Sequence, residues 1–412
     1  MKRRVVITGI GAVTPIGNTA YESWEGALKN TCGINGITRF DTSDYRVKLA
    51  AEIKNLDSEA YFNKRDMKFN DAFTQYARIA AKQAMEDAQL NSETINHERF
   101  GVILGSGIGG IQTIENASET CKDRGPSRVS PFFIPMSLIN LAAGQVAIDA
   151  HACGCCESVV TACAAASNAI GEAFHKIRDG YEDIILAGGS EASITPVAIA
   201  GFMSMRALHE GDDPNRASIP FDAQRKGFVM GEGGAVLVLE EAESAIKRKA
   251  KIIAEVVGYG TTCDANHITA PLPDGSQGAR AMKKAMEDAQ IKPSDIDYIN
   301  AHGTSTPLND SSETVAIKVA FNEHAMKPYV SSTKSMTGHL LGASGAIEAI
   351  FSALACQQNK IPATINYEQA DPECDLNLVV NEAMNTEVNY AMSNSLGFGG
   401  HNASLIFKKW EN

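Results

Sequence analysis

The stretch Val159-Val-Thr-Ala-Cys-Ala-Ala-Ala-Ser-Asn-Ala-Ile-Gly-Glu-Ala-Phe174 decides how the rest of the chain is interpreted. Its β-branched start predicts a buried strand, and apolar residues then recur at helical spacing along one face. The junction places Cys163 in the first turn of a helix, where partial positive charge and unpaired N–H groups bias a thiol toward the thiolate. By itself the stretch permits two interpretations, an activated nucleophile or a small buried apolar residue.

Composition narrows the class of protein. The 412 residues are 44% hydrophobic, enough to bury one large domain or two closely joined ones. A net charge of -12 argues against non-specific binding to nucleic acid or to an anionic membrane, so we expect neither as a partner. The 9 cysteines lack the spacing of a secreted disulfide scaffold. Because Gly9 and Gly11 interrupt the first apolar run, we predict a core strand there and a cytoplasmic protein.

One cluster, His151, Cys153, Cys155 and Cys156, could be taken for a metal site. A closed zinc site usually draws its ligands from two separated pairs, and no second pair follows downstream. We therefore predict no metal, and we interpret the cluster as free thiols near a subunit contact.

Strands and helices alternate along the whole chain, which favours a layered α/β architecture. In the first half, the predicted strands are Arg4–Val13, Phe100–Leu104, Ser158–Ala162, Ile184–Ala187 and Ala235–Glu240, and the predicted helices are Ala72–Ala88, Ala164–Arg178 and Glu241–Lys249. The second half repeats the alternation with strands Ile252–Tyr259, Tyr298–Ala301 and Tyr329–Ser332, helices Gly278–Ala289, Ser311–Phe321 and Thr337–Gln357, and a final hairpin of Asn389–Asn394 and Ala403–Phe407.

The two halves also resemble each other. Val159–Cys163 and Val330–Lys334 are each a strand and a polar hinge, followed by a helix rich in Ala, Gly and Ser. We interpret this as a weak internal duplication, with both helices buried centrally about a pseudo-twofold axis. No Pro- or Ser-rich linker separates the halves, so we expect them to behave as one unit.

Two glycine patterns suggest nucleotide binding. Gly105-Ser-Gly-Ile-Gly-Gly110 follows a strand, as the dinucleotide template requires, but no ribose-binding acid is evident at the expected distance. Gly397-Phe-Gly-Gly-His-Asn402 lacks the lysine of a phosphate loop. Glycines are also needed where two backbones approach closely, so a structural role of these glycines stays open as the alternative to nucleotide binding.

Two further loops carry titratable side chains. His302 follows a short strand, and Lys334 and His339 follow another. Each histidine alone is more often a satisfied core residue than a catalyst. Three polar loops at strand ends that carry Cys, His and Lys are harder to dismiss together, because sites of α/β sheets assemble at strand ends.

The sequence resembles the condensing enzymes of the thiolase superfamily, and most closely the β-ketoacyl-acyl-carrier-protein synthase II group. The motifs that carry the resemblance span nearly the whole chain: Val160-Thr-Ala-Cys163, Gly227-Phe-Val-Met-Gly-Glu-Gly233, Asn300-Ala-His-Gly-Thr-Ser-Thr-Pro307, Ser331-Ser-Thr-Lys-Ser-Met-Thr-Gly-His-Leu-Leu-Gly-Ala343 and Asn394-Ser-Leu-Gly-Phe-Gly-Gly-His-Asn402. The resemblance implies a thiolase-like fold of two duplicated halves in a five-layer α-β-α-β-α arrangement. The halves would be residues 1–250, with the nucleophile, and 251–412, with His302, Lys334 and His339.

The resemblance also implies a mechanism, the decarboxylative condensation that lengthens a chain by two carbons. Cys163 would accept an acyl group from a carrier-protein thioester. Backbone N–H groups of Cys163 and Phe398 would form the oxyanion hole. His302 and His339 would stabilise the enolate left by malonyl decarboxylation, kept neutral by Lys334, which Glu348 would hold.

Further roles are implied for the substrate and the carrier protein. Thr304 and Thr306 would bind the phosphopantetheine arm. Ile108 and Phe202 would line the acyl pocket, Phe398 would gate it, and Phe133 would reach the neighbouring subunit's pocket. The acidic carrier protein would bind a basic patch of Lys64, Arg65, Lys68 and Arg206, for which solvated surface lysines are the alternative. The protein would need no cofactor of its own, since substrates arrive on the carrier's phosphopantetheine.

Three stretches depart from the family pattern: Ala164–Ser167, Phe69–Ala72 and His151–Cys156. They leave open a ketosynthase of a type II polyketide or polyene pathway, which would pair with a chain-length-factor homologue rather than form a homodimer. A thiolase should carry a second cysteine in the C-terminal glycine turn, where His401 stands. The initiating synthases should offer His and Asn rather than two histidines, and an inactive partner subunit should lack Cys163.

Overall fold

The structure is a computed structural model that describes residues 2–63, 66, 68–90, 93 and 95–411. Its strands are β1 Val5–Val13, β2 Asn35–Gly36, β3 Leu49–Ala50, β4 Phe100–Gly105, β5 Cys156–Val159, β6 Ile184–Glu191, β7 Gly233–Glu241, β8 Ala254–Cys263, β9 Tyr298–Asn300, β10 Tyr329–Ser331, β11 Lys360–Ile361, β12 Met384–Asn385, β13 Tyr390–Gly397 and β14 His401–Lys409.

The α-helices of the described residues are α1 Ala20–Leu28, α2 Ala72–Asp87, α3 Ile111–Arg124, α4 Phe133–Ser137, α5 Asn140–Ala150, α6 Ala165–Arg178, α7 Pro196–Ser204, α8 Pro214–Ala217, α9 Ala242–Lys247, α10 Ser276–Ala289, α11 Pro307–Phe321, α12 Lys334–Thr337 and α13 Ser344–Gln358. No helix in the described ranges has the length and apolar character needed to cross a bilayer.

Ten strands form one sheet whose order is β10-β9-β13-β14-β8-β1-β7-β6-β4-β5. The first half contributes β1, β4, β5, β6 and β7 to this sheet, and the second half contributes β8, β9, β10, β13 and β14. When the strands are counted in chain order within each half, both halves follow the order third, second, fourth, fifth and first from the edge of the sheet to its centre. The halves meet where β1 pairs with β8 in antiparallel register over Val5–Ile7. The repeated topology confirms the predicted duplication of an α/β unit.

Helices α6 and α13 form the central layer, and each packs against strands of both halves. Helices α2 and α5 cover the outer face of the first half, and α10 covers that of the second, with α11 packed on it. The predicted five-layer arrangement is therefore confirmed. A Cβ at Gly345 would lie 2.1 Å from Ser167 Oγ, so close contact of the central helices requires small residues. The boundary at residue 250 remains a prediction.

Two local predictions are wrong. The strand before Cys163 runs from Cys156 to Val159, not from Ser158 to Ala162, and it is exposed rather than buried. The reason is its position: β5 is the edge strand beyond β4. The predicted helix Thr337–Gln357 is interrupted, because Gly338 and Leu341 adopt positive φ angles of 65° and 48° between α12 and α13.

The internal comparison paired equivalent elements, since β5 and β10 occupy the same place in the two halves and lead to α6 and α13. A short 3₁₀ turn, Ala162–Ala164, leads into α6, and the corresponding 3₁₀ turn, Leu341–Ala343, leads into α13. Cys163 therefore corresponds to Gly342 and not to Lys334. The second half has an additional helix, α12, between β10 and its 3₁₀ turn, so this turn lies further along the chain from its strand than the turn of Cys163 does.

Candidate active site

Cys163 occupies the middle of the 3₁₀ turn between β5 and α6. Ala162 holds a φ of +49°, a conformation that non-glycine residues rarely adopt and that turns the chain sharply before the helix. The thiol lies at the wall of a cavity of about 580 Å³. The turn therefore presents one nucleophilic atom to this cavity.

The expected thiolate bias of Cys163 is wrong for the resting protein. Burial raises the pKa of Cys163 to about 11, although the backbone N–H of Phe398 and the charge of Lys334 oppose the rise. Desolvation therefore outweighs the favourable electrostatics of the helix N-terminus. The thiol is protonated near neutral pH, and its Sγ lies 3.1 Å from His339 Nε2.

His302 and His339 lie with ring centroids 5.3 Å apart on the same side of the cavity. Burial and then the charge of Lys334 lower the pKa of both imidazoles well below its ordinary value, so both are neutral. Lys334 Nζ lies 3.4 Å from His302 Nδ1, and an ammonium can only donate, which assigns the ring proton to Nε2. His339 Nδ1 lies 2.8 Å from the Ser344 hydroxyl, which can donate to it in the same way.

Lys334 is fixed from two directions. It is 1% exposed, forms a short ion pair with Glu348, and donates to the backbone oxygen of His302 at 2.7 Å. The ammonium therefore cannot turn away from the imidazoles. Two strand-end loops and helix α13 together hold the histidine pair.

The glycine turn between β13 and β14 approaches the nucleophile directly. A Cβ at Gly397 would lie 3.1 Å from the Cys163 nitrogen, and Gly399 and Gly400 adopt φ angles of 83° and 74°. The backbone N–H of Phe398 interacts with the Cys163 sulfur. Two backbone N–H groups, of Cys163 and Phe398, are thus near the place where an oxyanion would form.

Other residues from the sequence analysis fall into three groups. Ile108, Phe202, Arg206, Thr304 and Thr306 line the cavity. Phe133 in α4 and the exposed Lys68 do not line it. The predicted carrier-binding residues Lys64 and Arg65 lie outside the described residues.

Three functional candidates could not be identified from the sequence, because their roles depend on contacts that no motif reports. Glu313 accepts the backbone N–H groups of His302 and Gly303, both at 2.8 Å, and burial raises its pKa to about 7. Ser344 orients His339. Glu191 binds the glycine-rich loop after β4. The available signal was an acid at the end of a strand for Glu191 and a hydroxyl at the start of a helix for Ser344, whereas Glu313 lies in the interior of α11 and had no such signal.

Within the described ranges, Cys163, His302 and His339 form the one group of metal-ligating side chains close enough to share an ion, their ligand atoms lying within 4.8 Å of each other. The neighbouring Lys334 ammonium disfavours a cation there. We therefore assign the group to hydrogen-bond chemistry. The residues around His151, Cys153, Cys155 and Cys156 are not brought together as such a group.

Comparisons with known proteins agree with this geometry. Residues 2–245 match the family model "Beta-ketoacyl synthase, N-terminal domain", and residues 253–368 match "Beta-ketoacyl synthase, C-terminal domain". The chain is 55% identical over 409 residues to the 3-oxoacyl-[acyl-carrier-protein] synthase 2 of Staphylococcus aureus, covering 99% of each chain.

Two solved structures are similar over their whole length. The ishigamide ketosynthase/chain length factor has a TM-score of 0.94 and 35% identity, with 100% of each chain covered. The ketosynthase complex AntDE:AntF, described as a type II acyl-carrier protein with its ketosynthase bound to the hexaketide, has a TM-score of 0.92 and 33% identity, also with 100% of each chain covered.

Proposed function

The chain belongs to the β-ketoacyl synthase family, and we propose that it elongates fatty acyl chains on an acyl carrier protein by decarboxylative Claisen condensation. The observation that carries this proposal is the convergence of one buried thiol with two neutral imidazoles, whose Nε2 atoms face the same cavity. The 55% identity to a 3-oxoacyl-[acyl-carrier-protein] synthase 2 over the full chain favours this role over the polyketide alternative.

The first step is transfer of the acyl group. The Cys163 sulfur attacks the thioester carbonyl of the acyl carrier, and the N–H groups of Cys163 and Phe398 bind the oxyanion. The carbon–sulfur bond to phosphopantetheine breaks, and the thiol proton of Cys163 ends on the departing phosphopantetheine sulfur. The step consumes no net proton, so a thiol with a pKa of about 11 is compatible with it.

The second step forms the nucleophilic carbon. A malonyl thioester loses CO2, and the electron pair of the broken carbon–carbon bond becomes an enolate. Its oxygen accepts the Nε2–H groups of His302 and His339, which are neutral and therefore correctly protonated donors. The enolate carbon then attacks the Cys163 thioester, and the released thiolate takes a proton from solvent.

The substrates would supply all the non-protein chemistry through the phosphopantetheine arm, so we propose no resident cofactor. Thr304 and Thr306, whose hydroxyls lie 3.0 Å apart at the cavity wall, would bind that arm. Arg206 at the mouth and Lys68 would attract the acidic carrier protein. Added salt should therefore weaken carrier binding, and a flat response in a titration from low to high salt would reject the patch.

We also propose a cytoplasmic homodimer. All nine cysteines are free, as in a reducing compartment. The surface around the edge strand β5 exposes large apolar side chains at Phe132, Ile134, Leu138, Ile148 and Val160. Such a face suits a second subunit, and Phe133 lies within it.

The decisive experiment separates the two chemical steps. His302→Ala should retain self-acylation by a radiolabelled acyl carrier but lose malonyl decarboxylation, because only the second step develops charge at the enolate. Intact decarboxylation in the folded variant would exclude the donor role. A heterodimer with a cysteine-lacking homologue in co-purification would favour the polyketide role, for which the similarity to the ishigamide ketosynthase/chain length factor is the specific observation.

A further inference from the structure

The glycine-rich loop after β4 surrounds a carboxylate of the chain itself. Glu191 is the last residue of β6 and is 0% exposed. Its Oε2 accepts the N–H of Gly107 at 2.6 Å and that of Gly342 at 3.0 Å. Its Oε1 accepts the N–H of Ile108 at 3.1 Å and that of Gly109 at 3.3 Å. The N–H groups that suggested a nucleotide site are therefore already occupied.

No salt bridge joins this carboxylate to a cation in the part of the chain that the structure describes. Burial raises the pKa of Glu191, and the four N–H groups oppose that rise. Since N–H groups can only donate, the arrangement needs a side chain with two accepting oxygens. The hydroxyls of Ser106 and Ser193, at 3.3 and 3.2 Å, complete the shell.

Glu191 joins two parts of the proposed active site. Ile108 lies in the cavity wall, and Gly342 lies in the turn that leads to Ser344, the partner of His339. The join is tight: a Cβ at Gly342 would lie 2.2 Å from the Gly107 nitrogen. The backbones at Gly107 and Gly342 are too close for a side chain to fit between them. The Glu191 carboxylate accepts a hydrogen bond from each of them.

We propose that Glu191 is a positioning residue that fixes the acyl-cavity wall against the histidine-supporting turn and holds its carboxylate close to the turn that carries Cys163. The assignment of the wall to the acyl chain rests on the proposed function. The effect of the Glu191 charge does not rest on the proposed function, because it acts on the thiol whether or not substrate binds.

The charge has a direction that can be measured. The groups that face the thiol are His339, His302, Lys334 and Glu191, of which the imidazoles are neutral. The negative charge of Glu191 raises the pKa of Cys163, whereas Lys334 lowers it. Removal of the charge should therefore make the thiol easier to ionise.

The test compares Glu191→Gln, Glu191→Asp and a control, Glu240→Gln. Glu240 is an equally buried carboxylate at the other end of β7, paired with Arg248 and far from the cavity. The rate of Cys163 alkylation by iodoacetamide is measured against pH in each folded protein, together with kcat and KM for acyl carriers of increasing chain length.

In Glu191→Gln the alkylation profile should shift to lower pH by about one unit, which is about a tenfold faster reaction at pH 8. Glu191→Asp keeps the charge, so its profile should stay at the wild-type pH while its KM for the longest acyl donors rises several-fold. Glu240→Gln should change neither quantity.

An unshifted profile in folded Glu191→Gln would overturn the electrostatic part of the proposal. Equal kinetic losses in Glu191→Asp and Glu240→Gln, without dependence on chain length, would overturn the positioning part. If the wild-type protein fails to condense acyl and malonyl carriers, the proposed function fails while the alkylation comparison still decides the role of the charge.

Discussion

The turn before α6 and the turn before α13 have almost the same backbone and different chemistry. Ala162 and Leu341 each adopt a positive φ, of 49° and 48°, and each turn is followed by a central helix. The first turn presents the Cys163 thiol to the cavity, whereas the second presents Gly342, whose N–H binds Glu191. One copy of the duplicated unit thus carries the reactive atom, and the other copy fixes the groups around it.

The division extends beyond the turns. In the second half, Lys334, Glu348 and Glu313 form buried polar contacts that hold His302 in place. In the first half, the residues that follow Cys163 are small and apolar, and they serve packing. Substitutions in the first turn should therefore affect chemistry, and those in the second should affect stability and geometry.

The largest expected effect is on the first turn. Cys163→Ala should reduce condensation by at least about 10³-fold, because no other atom can carry the acyl group. The measurement is product formation from acyl and malonyl carriers. Cys356→Ala, a buried cysteine in α13 that does not line the cavity, is the matched control and should condense normally. Undiminished condensation in Cys163→Ala would remove the distinction between the turns.

The next effect concerns the network of the second half. Lys334→Met should cost about 3–5 kcal/mol in the free energy of unfolding, because it leaves the Glu348 carboxylate buried without its cation. Urea unfolding of the double variant Lys334→Met/Glu348→Leu should show a smaller cost, since both charges are gone. Equal losses in the single and double variants would mean that the two charges are not coupled.

A smaller effect distinguishes the packing of the two turns. Gly342→Ala should destabilise by about 1–3 kcal/mol, because the new Cβ meets the Gly107 backbone, which cannot move away without breaking the Glu191 contacts. Ala164→Gly, the control in the first turn, removes a buried methyl and should cost about 1 kcal/mol. A cost for Gly342→Ala no greater than for the control would show that the second turn tolerates expansion.

The smallest effect is a pH dependence of stability. Burial lowers the pKa of His339 in the folded state, so the unfolded chain takes up a proton as pH falls below about 6.5 while the folded chain does not. The contribution of His339 to the free energy of unfolding is therefore fully present above that pH, and below it this contribution declines by about 1.4 kcal/mol per pH unit. Glu313, whose pKa is raised to about 7, acts with the opposite sign. The difference in slope between wild type and His339→Gln isolates the histidine, and parallel slopes would contradict its neutral burial.

The sequence was sufficient to predict which groups meet. Cys163, His302 and His339 each follow a strand, and strand ends of an α/β sheet converge, so their approach to one cavity required only the order of elements. Lys334 follows a strand in the same way and contacts His302. The central position of α6 and α13 could be predicted in the same way, because runs of small residues allow close helix packing.

Other features depended on contacts that no local pattern reports. The pKa of Cys163 is set by its burial, which the helix-terminus argument did not include. The partner of the glycine loop, Glu191, lies 84 residues from Gly107 in the chain. Helix α3 was missed because none of its side chains is fully buried, and strand β5 looked buried because apolar residues follow it.

The two edges of the ten-stranded sheet differ in whether another segment of the chain covers them. At β10, the chain covers its own edge: Val330 donates to Asn377 at 2.9 Å and accepts from Val379 at 2.9 Å. At β5, no described strand pairs with the outer edge, and β5 leads directly into the turn of Cys163. An open edge can recruit foreign strands. Protection against aggregation and order at the nucleophile therefore depend on the same edge strand of this protein.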